Sequence, residues 1–244
     1  MKKIIVGLLV GLTISVGSVG AQQTTAADAI FERYFEATGG VARWDSIRSY
    51  TLNRSYVANT SADFDMTVQV SFADKAMHKE KTILRRTFIY GFNSTDAWLK
   101  IPLGSSDKVT KYQTNNLSAT ERTAMQFEMY DLLVPFYDYK ARRFVASVVG
   151  TSRIDTSAVT EVELQGTGIK YNLFFSNASG LLLREVHTTP SQQVTINHGP
   201  YILNKQGIRY PSIGTETNNR DRRTVNIRSS LAINEPISPA LLRR

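Results

Sequence analysis

The chain has no cysteine, and only 15 glycines and 7 prolines among 244 residues. Without cysteine there is no disulfide framework, no thiolate for a structural zinc site and no acceptor for bacterial lipid attachment. Sparse glycine and proline exclude collagen-like and low-complexity chains, and a hydrophobic content of 42% excludes disorder. The only histidines, His78, His187 and His198, share no metal-ligand spacing, so neither a metal nor a cofactor is expected. No G-x-S-x-G elbow, P-loop or dinucleotide fingerprint follows the first 21 residues, so standard hydrolase, nucleotidase and dehydrogenase readings lack their footholds.

Long apolar runs are also lacking, with one exception at the start. Met1-Lys2-Lys3 precedes an apolar run from Ile4 to Val16, and Val19-Gly20-Ala21 supplies small residues before Gln22. This is the pattern of a secretory signal peptide over residues 1–21, cleaved after Ala21, and the run is short for a spanning helix. The expected mature chain, 22–244, is one exported, periplasmic domain that is neither lipid-anchored nor membrane-spanning. Its formal charge falls from +8 to +6 when Lys2 and Lys3 are removed. The basic clusters (Arg85-Arg86, Arg142-Arg143, Arg220 to Arg223, Arg243-Arg244) are scattered, which fits exposed turns and contact with anionic headgroups better than nucleic acid.

What is present is alternation. In Phe64-Asp-Met66-Thr-Val68-Gln-Val70-Ser-Phe72 every second residue is apolar, which gives a strand with one dry face. Further strands are expected at 84–92, 96–101, 107–113, 143–149, 159–165, 169–176, 181–187, 193–197, 200–203 and 223–232. Hairpin-like turns are expected at Asn177–Gly180 and Asn204–Gly207. Helices are expected at 25–37 and 118–133, the second opened by the capping box Ser118-Ala-Thr-Glu121 and closed near Pro135. Many short strands and two helices predict a mainly β (α+β) fold with a large antiparallel sheet that curls over its apolar face. Asp63 with Asp65, and Glu161 with Glu163, place paired carboxylates on strand faces, where a solvated side is the plainer reading than acid/base chemistry.

The candidate site is an apolar cavity. Phe64, Met66, Val68, Val70, Phe72, Phe88, Tyr90 and Trp98 supply large side chains from alternating strands, and Met125, Met129 and Leu132 form a stripe on the second helix. A barrel that does not close can enclose such a cavity, and a packed sandwich shows the same pattern. The methionine stripe fits a core-packing helix, or a movable cover that repacks around ligands.

Several segments resemble bacterial outer-membrane lipoprotein-sorting proteins of the LolA/LolB-like superfamily. They are Ile30-Phe31-Glu-Arg-Tyr34-Phe35-Glu-Ala-Thr-Gly39-Gly40 with Trp44-Asp-Ser-Ile47, the Asp96-Ala-Trp98 strand, and Gly150-Thr-Ser-Arg-Ile-Asp. Ser179-Gly180-Leu-Leu-Leu-Arg184, Gly207-Ile-Arg-Tyr-Pro211 and Ile233-Asn234-Glu-Pro236-Ile237 continue the likeness, while Leu241-Leu242-Arg-Arg departs from the aromatic-rich end of that group. The resemblance implies a curved, incompletely closed antiparallel β-barrel with helices covering the open side, and a cavity that accepts acyl chains of a lipoprotein or another lipid. The expected function is that of a non-catalytic, monomeric carrier in transient contact with envelope membrane proteins or anionic headgroups. The alternative is an envelope scaffold that recognises a protein or glycan through a sheet edge.

Overall fold

Thr25 opens the first helix by a capping box, its hydroxyl accepting from the Asp28 amide while Asp28 accepts from the Thr25 amide at 2.7 Å. The computed structural model describes residues 25–58, 62–104, 110–220 and 222–244, so the leader and its cleavage point lie outside the described residues. Helix α1 (Ala26–Ala37) buries Ala27, Phe31 and Tyr34. Gly40, at φ 93°, then starts the short helix α2 (Val41–Asp45), which the sequence reading did not anticipate and which buries Trp44.

Six strands follow: β1 (Ser49–Ala58), β2 (Phe64–Ser71), β3 (Ala76–Ile83), β4 (Arg86–Phe92), β5 (Ala97–Leu103) and β6 (Lys111–Asn116). Helix α3 (Ala119–Asp131) comes next, and Ser118 and Glu121 cap it as the sequence predicts. The chain then forms β7 (Val145–Ile154), β8 (Ser157–Gly166), β9 (Ile169–Ser176), β10 (Leu182–Thr188) and β11 (Gln193–His198). The last strands are β12 (Tyr201–Leu203), β13 (Arg209–Pro211), β14 (Ile213–Asn218) and β15 (Thr224–Ile233). Gly180, at φ 75°, ends the β9–β10 turn in a conformation that a side chain disfavours, and its amide donates to the Ser176 carbonyl at 2.8 Å.

Thirteen strands make one antiparallel sheet in the order β6-β5-β4-β3-β2-β1-β15-β14-β11-β10-β9-β8-β7, while β12 and β13 form a separate hairpin. Among the described residues strands β6 and β7 are its two ends, so the barrel is curved and unclosed, with three short helices. Strands β3 and β14 were not expected from the sequence, and the expected 107–113 strand is displaced to β6, its first residues lying outside the described set.

Alternation fixes the faces. Val68 and Val70 are fully buried and pair with Leu52 and Tyr50 on β1, so this face is the concave one. Its first end is filled by aromatic rings. Phe31 stacks on Phe136 with ring centres 4.5 Å apart, Tyr34 meets Phe136 edge-on at 5.1 Å, and Phe35 lies 5.0 Å from Trp44. Helices α1 and α2 and the 132–144 segment thus plug one end of the half-barrel. At the other end the concave face stays open beneath α3.

Candidate functional site

Helix α3 lies across the concave face and is tied to both halves of the sheet. Lys79 on β3 donates to both Glu128 carboxylate oxygens at 2.6 and 2.8 Å, and Tyr50 on β1 donates to the Met129 carbonyl at 2.8 Å. On the far side Asp131 accepts from Tyr171 on β9 at 2.6 Å and from Arg142 at 3.1 Å. Arg122 donates to the carbonyls of Asn93 and Thr95 at the β4–β5 turn.

Between α3 and the sheet lies a cavity of about 770 Å³. That volume is in the range of roughly 300–1,000 Å³ typical of small-molecule sites. Its roof is the side of α3 carrying Thr120, Thr123, Ala124 and Phe127, followed by Asp131 and Leu132. Its walls are Tyr56, Met66, Ile169, Val194 and Ile196, and the β8–β9 and β10–β11 turns contribute Thr167, Gly168, Thr189 and Gln192.

The inner end is charged, which no sequence pattern announced. Arg54, Glu185, His187 and Glu216 line it, and His198 stands just behind. The strand register explains this convergence: His198 pairs with Gly214, Ile196 with both Glu216 and Glu185, and Val194 with His187, so these side chains alternate onto the concave face. The two imidazole Nε2 atoms stand 3.5 and 3.6 Å from Glu185 Oε1, close enough to attract and too far for strong hydrogen bonds. Glu185 Oε2 and Arg54 Nε have no hydrogen-bond partner in the described protein. Burial opposes ionisation of Glu185, but His187, His198 and Arg54 outweigh it and hold its carboxyl below the usual range. His187 is raised: burial favours its neutral form, and Glu185, Asp131 and Glu216 prevail. Burial lowers His198 despite Glu185, and burial raises Glu216 despite Arg54, His187 and Arg223.

The anticipated lining residues separate into groups. Met66 and Leu132 line the cavity. Phe64, Phe88 and Tyr90 stand on the concave face beside it, with the Lys81 ammonium 4.0 Å over the Phe64 ring and Lys79 4.8 Å over Tyr90. Val68, Val70, Met125 and Met129 are packed into the core, and Phe72 joins Tyr130 and Tyr137 near the plugged end. Trp98 corrects the sequence reading. It pairs with Gly91 while its neighbour Ala97 pairs with core Phe92, so Trp98 lies on the convex face, where it is buried over Gly91. The C-terminal segment returns to that side, Asn93 donating to the Leu242 carbonyl at 3.3 Å.

The paired carboxylates are local anchors. Asp63 accepts from the Ala58 amide, Asp65 from the Ser55 hydroxyl and Glu161 from Asn172, while Glu163 pairs with Lys170. Among the described residues no group of three or more His, Asp or Glu is arranged to hold a metal, and no helix is long and apolar enough to cross a membrane.

No family model and no curated protein matches the chain. Solved structures do. A domain described as an outer-membrane lipoprotein-sorting protein from Vibrio parahaemolyticus aligns with a TM-score of 0.56 at 10% identity, covering 88% of this chain and 97% of its own. A LolA superfamily protein from Nitrosomonas europaea aligns at 0.57 and 13% identity, covering 90% and 98%. A DUF1329 family protein from Desulfovibrio piger aligns at 0.57 and 12%, covering 88% and 96%. Over nearly its whole described length, this chain has the fold seen in the LolA superfamily.

Proposed function

We propose that the protein is an exported, non-catalytic carrier that holds the acyl chains of a lipoprotein or another lipid in the cavity under α3. The observation that carries this reading is the cavity itself: about 770 Å³, walled by Tyr56, Met66, Phe127, Ile169, Val194 and Ile196, in a half-barrel whose other end is already filled. Burying an aliphatic chain there gains about 0.8 kcal/mol per methylene. The likeness to a lipoprotein-sorting domain supports the same reading, and the leader of residues 1–21 supports a periplasmic location. Exposed arginines such as Arg85, Arg143 and Arg222 suit transient contact with anionic headgroups or envelope membrane proteins during exchange. The reading requires no cofactor and no second copy of the chain.

The test is binding of the neutral fluorescent probe N-phenyl-1-naphthylamine. Saturable one-to-one binding displaced by lipid supports a carrier, whereas no binding by folded protein refutes it. A second reading rests on edge strand β7, where Val145, Val148 and Val149 are exposed: docking of an envelope protein by strand addition. Replacing Val149 with lysine blocks such docking and leaves probe binding unchanged.

A further inference from the structure

The carrier reading leaves open what the cargo presents to the charged inner end of the cavity, and this inference rests on that reading. Side chains from four strands meet there: Arg54 from β1, Glu185 and His187 from β10, His198 from β11 and Glu216 from β14. The Glu185 side chain is 6% exposed, lines the cavity and leaves Oε2 without a protein partner, as does Arg54 Nε. A methyl terminus at this position would leave the buried carboxylate oxygen and guanidinium nitrogen without a hydrogen bond, a cost that a polar terminus relieves.

Charge narrows the choice further. Arg54 offsets Glu185, burial keeps His198 toward its neutral form, and burial raises the Glu216 carboxyl. The remaining roof carboxylates already have partners, Asp131 in Arg142 and Tyr171, and Glu128 in Lys79. An added anion would be attracted by Arg54 and His187 but opposed by Glu185 and Glu216, and an added cation the reverse, so either ion meets opposing charge. An uncharged group that both donates and accepts meets neither objection.

We propose that the cargo is an aliphatic amphiphile carrying an uncharged hydroxyl at the end that enters the cavity, the hydroxyl donating to Glu185 Oε2 and accepting from Arg54. The hydroxyl belongs either to the head of a free lipid or to a hydroxylated chain terminus. Glu185 is then the specificity-determining residue, and Met66, Phe127 and Ile196 supply contact along the chain.

The experiment is displacement of N-phenyl-1-naphthylamine from the wild-type protein by probes of one chain length. Dodecanol is expected to compete at least about tenfold better than dodecyl methyl ether, which accepts but cannot donate, and better than dodecanoate or dodecylammonium. A preference for ω-hydroxydodecanoate over dodecanoate identifies a chain-terminal hydroxyl as the source; a preference for dodecanol alone identifies a head. In Glu185→Leu the alcohol-to-ether preference is expected to vanish while the probe still binds. Equal competition by alcohol and ether, or best competition by either ion, overturns the proposal and leaves the carrier reading standing. Failure of the probe to bind wild-type protein overturns both.

Discussion

Val68 is fully buried on the concave face, and its neighbour Gln69 faces outward, paired with Thr51 and His78. Val68→Asp places a lone charge in the core and is expected to cost about 3 kcal/mol or more, while Gln69→Asp is expected to stay within about 1 kcal/mol. Urea unfolding of the two variants checks this; equal losses would refute the face assignment. The two histidines beside Glu185 lead to opposite pH signatures. Because the folded protein raises His187 above its ordinary 6.5, its contribution to stability is full below pH 6.5 and is lost as pH rises through the raised value. Because folding lowers His198, its contribution is present above pH 6.5 and is lost as pH falls through the lowered value. His187→Gln is therefore expected to cost most in mild acid and least at alkaline pH, whereas His198→Gln gains on wild type as pH falls below 6.5. Melting temperatures across pH 5 to 9 test the sign of each slope, and parallel profiles would contradict the assignment.

At the scale of elements, α3 shows how much the sequence disclosed. Its cap and boundaries were legible in Ser118 and Glu121, because a capping box is a local feature. Its orientation was not. The stripe that marks it as amphipathic, Met125 and Met129, packs into the core, and the cavity is roofed by the flank with Thr120, Thr123, Ala124 and Phe127. Met129→Asp is accordingly expected to lower stability by about 2–5 kcal/mol, with probe binding falling only as the folded fraction falls. Ala124→Trp, on the exposed cavity side, is expected to reduce probe affinity at least about tenfold with little change in melting temperature. Measuring both quantities on both variants separates core packing from cavity lining, and a reversed pattern would contradict the geometry.

The same logic explains β3 and β14. Their inward positions carry Lys79, Lys81 and Glu216, so neither strand shows the polar and apolar alternation that revealed β2. These two strands are hidden in the sequence because they bring polar groups into the half-barrel. Trp98 was hidden differently: the alternation placed its strand, but only pairing with Gly91 shows which face it takes.

At the scale of the molecule, an unclosed sheet of 13 strands is filled at one end by the Phe31, Tyr34, Trp44 and Phe136 cluster and left hollow at the other. Composition and alternation disclosed the mainly β architecture, and the likeness of several segments to lipoprotein-sorting proteins disclosed its openness. The charged inner end depended on long-range register between β1, β10, β11 and β14, which no single segment carries. The Lys79–Glu128 ion pair and the Tyr171–Asp131 hydrogen bond anchor α3 to both sides of the opening. In the proposed carrier, exchange of cargo requires that roof to yield without unfolding the aromatic plug. The most direct measurement of the carrier account is native mass spectrometry of the purified protein, followed by extraction and identification of what it holds. The account predicts an acyl-bearing species bound at near one-to-one and lost in Ala124→Trp; protein that is lipid-free as purified and takes up no added lipid would contradict it.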